Sequence, residues 1–150
     1  MRFGKAMNQN KYLQIIDEMT IPASKTLYWA NIVKSEFQEI YDQYDKSIQV
    51  FFDEIMPAAK KLVDSIQKLR QFEQTEKQEI FTHTLAGPII TIRDTTKIIL
   101  LQHSEQEEGQ SEKVNEYIRY LKKIRSAAEF LWSLDRDAVL QIHLEHLNNE

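Results

Sequence analysis

Apolar residues return every third or fourth position through most of this chain, a period that belongs to α-helices burying one face. Leu27, Tyr28, Ile32, Val33, Phe37, Ile40, Tyr41, Tyr44, Ile48, Phe51, Phe52 and Ile55 form one stripe, which predicts a helix from a cap at Ser24 to Met56. Pro57 suits a helix first turn or a kink, after which Leu62, Val63, Ile66, Leu69 and Phe72 renew the pattern. A third stripe runs from Ile80 through Leu85, Ile89 and Ile92 to Ile99, ending near His103. The fourth is the longest: Val114, Tyr117, Ile118, Leu121, Ile124, Ala128, Leu131, Leu134, Ala138 and Ile142. Between the third and fourth, "SEQEEGQSEK" supplies Gly109 for a turn and Ser111 as an N-cap. At the front, "KYLQIIDEMT" reads as a short helix closed by Ile21-Pro22, because the residue before a proline is biased away from the helical region. The expectation is all-α: a four-helix bundle of up-down helices over 23–150, with a short extra N-terminal helix or extension over 1–22.

Composition agrees and narrows the function classes. Three Gly, three Pro and 28% charged residues suit long helices with few loops, and 42% apolar residues are enough for a core. A net charge of -4 gives no basic footprint, so no nucleic-acid partner is expected. The absence of Cys removes disulfides, thiolate metal sites and cysteine nucleophiles, and suits a reducing compartment. The opening "MRFGKAMNQNKYLQ" has no apolar signal core, and no run nears the ~20 apolar residues of a membrane span. A soluble, cytoplasmic protein with no membrane partner is expected.

The segment "EIFTHTLAGPIITIRDTTKIILL" is the least ordinary. On one helix, Gly87 lies a turn beyond His83 and leaves bare backbone beside the imidazole, ground that something bulky can approach. Pro88 has no amide for the carbonyl of Thr84, so an interior Pro88 bends the helix at a cost of ~3 kcal/mol. On that expectation Pro88→Ala stabilises the helix. Two readings of the residues stay open: His83 marks a reactive surface, or Gly-Pro turns a corner between two shorter helices.

The order "His83-Thr84-Leu85-Ala86-Gly87" resembles the HxLKG core of histidine phosphotransfer (HPt) domains. His83, Leu85, Pro88, Ile89 and Ile92 also resemble the HxLxxPLxxI box of the dimerisation and histidine-phosphotransfer domain of two-component sensor kinases. "YLKKIRSAAEFL", 120–131, is similar to the YLxxIxxSAxRL pattern of the returning helix, giving a hairpin at about 76–140, and "FFDEIMPAAKKLVDSIQ" resembles the segment preceding the histidine in HPt domains. The resemblance implies a phosphorelay intermediate in two-component signal transduction, with His83 as phospho-acceptor and a response-regulator receiver domain docking over Thr84, Gly87 and Pro88. It implies no cofactor of the chain's own, since the receiver brings its magnesium. A homodimer is implied if the hairpin pairs with a second copy, and a monomer if the chain folds four helices of its own.

Departures from the families carry information. The acidic residue after the kinase histidine is Thr84, the residue associated with phosphatase chemistry is Gly87, and the phosphate-steadying lysine is Ala86. Lys77 and Arg93 are the remaining candidates for that charge. Gly4, Gly87 and Gly109 form no nucleotide-binding loop, and the chain after Leu131 continues as helix, so no ATP-driven kinase activity is expected. The competing class is a non-catalytic helical-bundle interaction or regulatory protein that binds a signalling partner. A kinase fragment, with its ATP domain in another chain, is a third.

Elsewhere, His143 and His146 share a helix face but lack an evident third metal ligand. The pairs Asp53-Glu54 and Asp135-Asp137 read as solvated faces, and Trp29 and Trp132 as packing residues beside the stripes.

Overall fold

Which apolar residues line up with a period of 3.5 decides the architecture, seen here in a computed structural model that describes residues 2–37, 49–71, 84–102, 109 and 111–149. Among the described residues there are four α-helices and no strand. Helix α1 is Arg2–Glu36. A π-helical turn, Phe51–Ile55, runs straight into α2, Met56–Gln71. Helix α3 is Ala86–Gln102 and α4 is Glu112–Asn149. Each helix packs on the one that follows, and α4 returns against α1, closing an all-α four-helix bundle. Phe37, just past the end of α1, meets Tyr117 and Tyr120 near the start of α4, so these two long helices run antiparallel.

From Gln14 on, where side chains are described, the buried positions of α1 are Ile16, Met19, Ala23, Thr26, Ala30 and Val33, continued by Phe37 just past its end, alternating steps of three and four without a break. Those of α4 include Val114, Tyr117, Leu121, Ile124, Ala128, Leu131, Asp135, Ala138 and Ile142 in the same rhythm. A strict heptad keeps one seam facing its neighbours along the full length, the pattern of knobs-into-holes packing in bundles. All ten apolar residues expected on the last helix are buried. The face of α1 differs from expectation. Its seam passes through the small residues Ala23, Thr26 and Ala30, while Tyr28 is exposed and Leu27 and Ile32 flank the core half-buried. Small side chains at the seam let α1 approach its neighbours closely, and the bulkier ones seal its margins. Thr26 is buried at no polar cost, because its hydroxyl donates to the carbonyls of Pro22 at 2.7 Å and Ala23 at 3.0 Å.

Two expected boundaries are corrected. Pro22 sits inside α1, which continues through it, so 1–22 is no separate helix and Ser24 is an exposed interior residue rather than a cap. Burial of Met19, Ala23 and Thr26 on the same seam holds the turn that local propensity would break. The helix expected from Ser24 to Met56 ends at Glu36, where the amide of Phe37 donates to Val33 O at 3.0 Å. Ile40, Tyr41, Tyr44 and Ile48 lie outside the described residues.

Pro57 is absorbed by the π-turn ahead of it. The Met56 amide donates to Phe51 O, one residue further back than in an α-helix. That wider turn shifts the carbonyls ahead of Pro57, where its ring and missing amide would disturb a regular ladder. The start of α4 is as expected: Gly109 takes a left-handed φ of 77°, and the Ser111 hydroxyl accepts from the Val114 amide at 3.3 Å.

Candidate functional site

His83 and Lys77 lie outside the described residues, so the nearest structural view of the expected site begins at Thr84. Thr84 and Leu85 form a turn, Thr84 exposed and Leu85 fully buried in the core. The Ile89 amide donates to Leu85 O at 3.2 Å, and α3 starts at Ala86. Gly87 and Pro88 are therefore first-turn residues. The turn at Thr84 and Leu85 interrupts the expected helical run there, and the rest of its expected start, Ile80 to His83, lies outside the described residues. A first-turn amide has no intrahelical acceptor, so Pro88 forfeits nothing there. Gly87 is exposed, and a Cβ built on it meets nothing within 4 Å.

The effect expected of Pro88→Ala reverses with its position. Pro88 is buried against the core, so the substitution removes two ring methylenes from an apolar site and restores an amide that the helix does not use. A loss of about 1–2 kcal/mol is expected. Thermal unfolding followed by circular dichroism checks it; a stabilised variant would return Pro88 to a strained helix interior.

Arg93, the remaining candidate for phosphate charge, is engaged elsewhere. It lies six residues beyond Gly87 on α3, about 9 Å along the axis and on a different face. Its Nε donates to Asp94 Oδ1 at 3.0 Å, and its guanidinium stands 4.9 Å from the Trp132 ring centroid. Arg136 covers Trp132 as well, at 5.5 Å. Arg93 thus helps line a groove of ≈ 360 Å³ between α3 and α4, together with Asp94, Lys97, Arg125, Glu129 and Trp132. Arg125 Nε is 3.3 Å from Glu129 Oε1. With each arginine beside its own carboxylate, the groove is close to electrically balanced. Trp132 packs partly buried against the core, as expected, and so does Trp29.

The acidic pairs divide. Asp53 and Glu54 are exposed, and Glu54 accepts a hydrogen bond from the Thr95 hydroxyl at 3.3 Å, tying the π-turn to α3. Asp137 is exposed, whereas Asp135 is only 2% exposed and belongs to the α4 seam, which corrects its reading as solvated. His143 is exposed, and among the described residues no three His, Asp or Glu are grouped to hold a metal ion. No helix among the described residues is long and apolar enough to cross a membrane.

A second groove, of ≈ 530 Å³, lies between α1 and α4 and is not among the expected site residues. Ile21, Trp29 and Phe130 supply its apolar surface, with Lys25, Lys122 and Lys123 around them. Tyr28 on α1 and Leu140, Leu144 and Leu147 on α4 are exposed outside this groove, and within it Ile21 is 65% exposed and Phe130 51%, large apolar side chains left in water. Their signal in the sequence is that both fall off the buried stripe. No protein-family model matches the chain, and neither a characterised protein nor a solved structure matches it.

Proposed function

We propose that this chain is a non-catalytic helical-bundle interaction protein that docks a signalling partner on its surface. The observation that carries the reading is the start of α3 at Ala86. The phosphotransfer resemblance calls for an acceptor histidine and the glycine four residues later on one continuous helix, and here Thr84 and Leu85 form a turn before α3 starts at Ala86. The replacements at the chemical positions point the same way: Ala86 carries no charge for phosphoryl oxygens, and Thr84 offers no carboxylate base.

Phosphoryl shuttling between His83 and a receiver-domain aspartate is the second reading, favoured by the exposed Thr84 and the open ground at Gly87. In that reaction an imidazole nitrogen attacks phosphorus, the bond to the aspartyl oxygen breaks, and the carboxylate leaves toward the receiver's own magnesium. A neutral imidazole is the competent nucleophile, and an unperturbed histidine is mostly neutral at pH 7.

One experiment separates the two. Purified protein is incubated with magnesium and a panel of phosphorylated receiver domains, beside the His83→Gln variant. The binding-only reading expects no acid-labile phosphate on either protein. Label on the wild type that disappears in His83→Gln would establish transfer instead and overturn the proposal.

A further inference from the structure

We infer that the groove between α1 and α4 is the docking site for an acidic amphipathic helix of a partner protein. The inference rests on the interaction reading above and names the chemistry of the partner. Ile21, Lys25 and Trp29 are spaced four residues apart on α1, so they form one row about 12 Å long. Lys122, Lys123 and Phe130 face that row from α4, which runs in the opposite direction. Trp29 and the lysine pair therefore mark one end of the groove, and Ile21 and Phe130 the other. Between them Ser126 and Ala127 carry short side chains and leave the floor low.

A groove between two antiparallel helices accepts a third helix by ridges and grooves, with apolar anchors at i, i+3 or i+4, and i+7. Charge selects the sign of the partner. The whole chain carries -4, yet the groove is lined by three lysines and no carboxylate. An acidic flank on the incoming helix meets opposite charge at Lys25, Lys122 and Lys123, while a basic flank meets repulsion. Lys123 also stands 5.2 Å from the Tyr120 ring centroid, which holds its charge near the Trp29 end. Exposed aromatic and aliphatic side chains within a charged rim are the composition of a protein-binding surface.

The probe is a fluorescein-labelled synthetic helix with Leu and Phe at i, i+4 and i+7 and Glu at its flanking positions. Its controls are the same peptide with Lys in place of Glu and a scrambled acidic peptide. The expected result is saturable binding of the acidic helix, weakened by salt, with at least about tenfold less affinity for both controls. Phe130→Glu is expected to lower affinity about tenfold or more, and because Phe130 is half exposed the variant should fold. The combined Lys25→Glu, Lys122→Glu and Lys123→Glu variant, altering exposed side chains, should reverse the preference toward the Lys peptide while keeping the wild-type circular dichroism spectrum. In a Trp132→Phe background Trp29 is the remaining indole, and its emission should shift to the blue on binding. Equal binding of the Lys peptide, or affinity unchanged by Phe130→Glu, overturns the proposal. It is also overturned if Phe130→Glu abolishes binding to phosphatidylserine vesicles while the acidic helix does not bind, or if light scattering shows a wild-type dimer that Phe130→Glu dissociates. Phosphate on His83 would refute the binding-only reading without touching this groove. Failure of the acidic helix would refute the groove's partner and leave the His83 result intact.

Discussion

Tyr117→Ala is expected to destabilise the protein by about 3–5 kcal/mol, the range for removing a large aromatic side chain from a core. Tyr117 is completely buried and heads the order of fully buried side chains by size. Its ring lies 6.3 Å from that of Phe37, which in turn lies 5.7 Å from Tyr120, so three aromatic residues lock the end of α1 to the first turns of α4. Lys113 adds its ammonium 5.3 Å from the Phe37 centroid. Truncation leaves a cavity at the place where the longest helix pair is joined, and neighbouring rings are too rigid to refill it. Domains of this kind are stable by about 5–15 kcal/mol in total, so the loss is a large share. Urea denaturation at 25 °C measures it, with Tyr117→Phe as the control that keeps the ring and loses only the hydroxyl. A loss below about 1 kcal/mol for Tyr117→Ala would mean that this cluster is not part of the core.

Pro22→Ala is expected to act in the opposite direction, raising stability by about 1–3 kcal/mol. Pro22 stands in the interior of a 35-residue helix, where it cannot donate to the carbonyl four residues earlier, that of Glu18. The intrinsic cost of proline at such a site is about 3 kcal/mol. Part of that gain is offset because proline also restricts the unfolded chain, an effect of about 0.4–1 kcal/mol. Pro22 is only half-buried, so little apolar contact is lost with its ring. The same urea titration reads the gain as a higher midpoint with an unchanged slope. Destabilisation by Pro22→Ala would restore the helix boundary that the Ile21-Pro22 pair suggests locally. Pro22 also lines the α1/α4 groove.

Taken alone, the sequence determined the helical class, the buried face of α4 and the caps around Gly109 and Ser111. Each of these depends on near neighbours: a period along one helix, a left-handed turn residue, a hydroxyl three residues from its amide. Tertiary packing decided the rest. Continuity through Pro22 requires burial against other helices to outweigh a local penalty, and the balance is invisible in the local signal. The seam of α1 runs through Ala23, Thr26 and Ala30 because close helix approach rewards small side chains, whereas a hydropathy stripe weights large ones such as Leu27 and Tyr28. In the "THTLAGP" stretch the residue order suits either a kinked helix or a corner; a turn at Thr84 and Leu85 and the burial of Leu85 and Pro88 start α3 at Ala86, while the residues before Thr84 lie outside the described ones. The α1/α4 groove was the least legible feature. Lys25 and Trp29 are about a hundred residues from Lys122, Lys123 and Phe130 in the chain, and only the antiparallel pairing of the two longest helices brings their charge and apolar surface to one place.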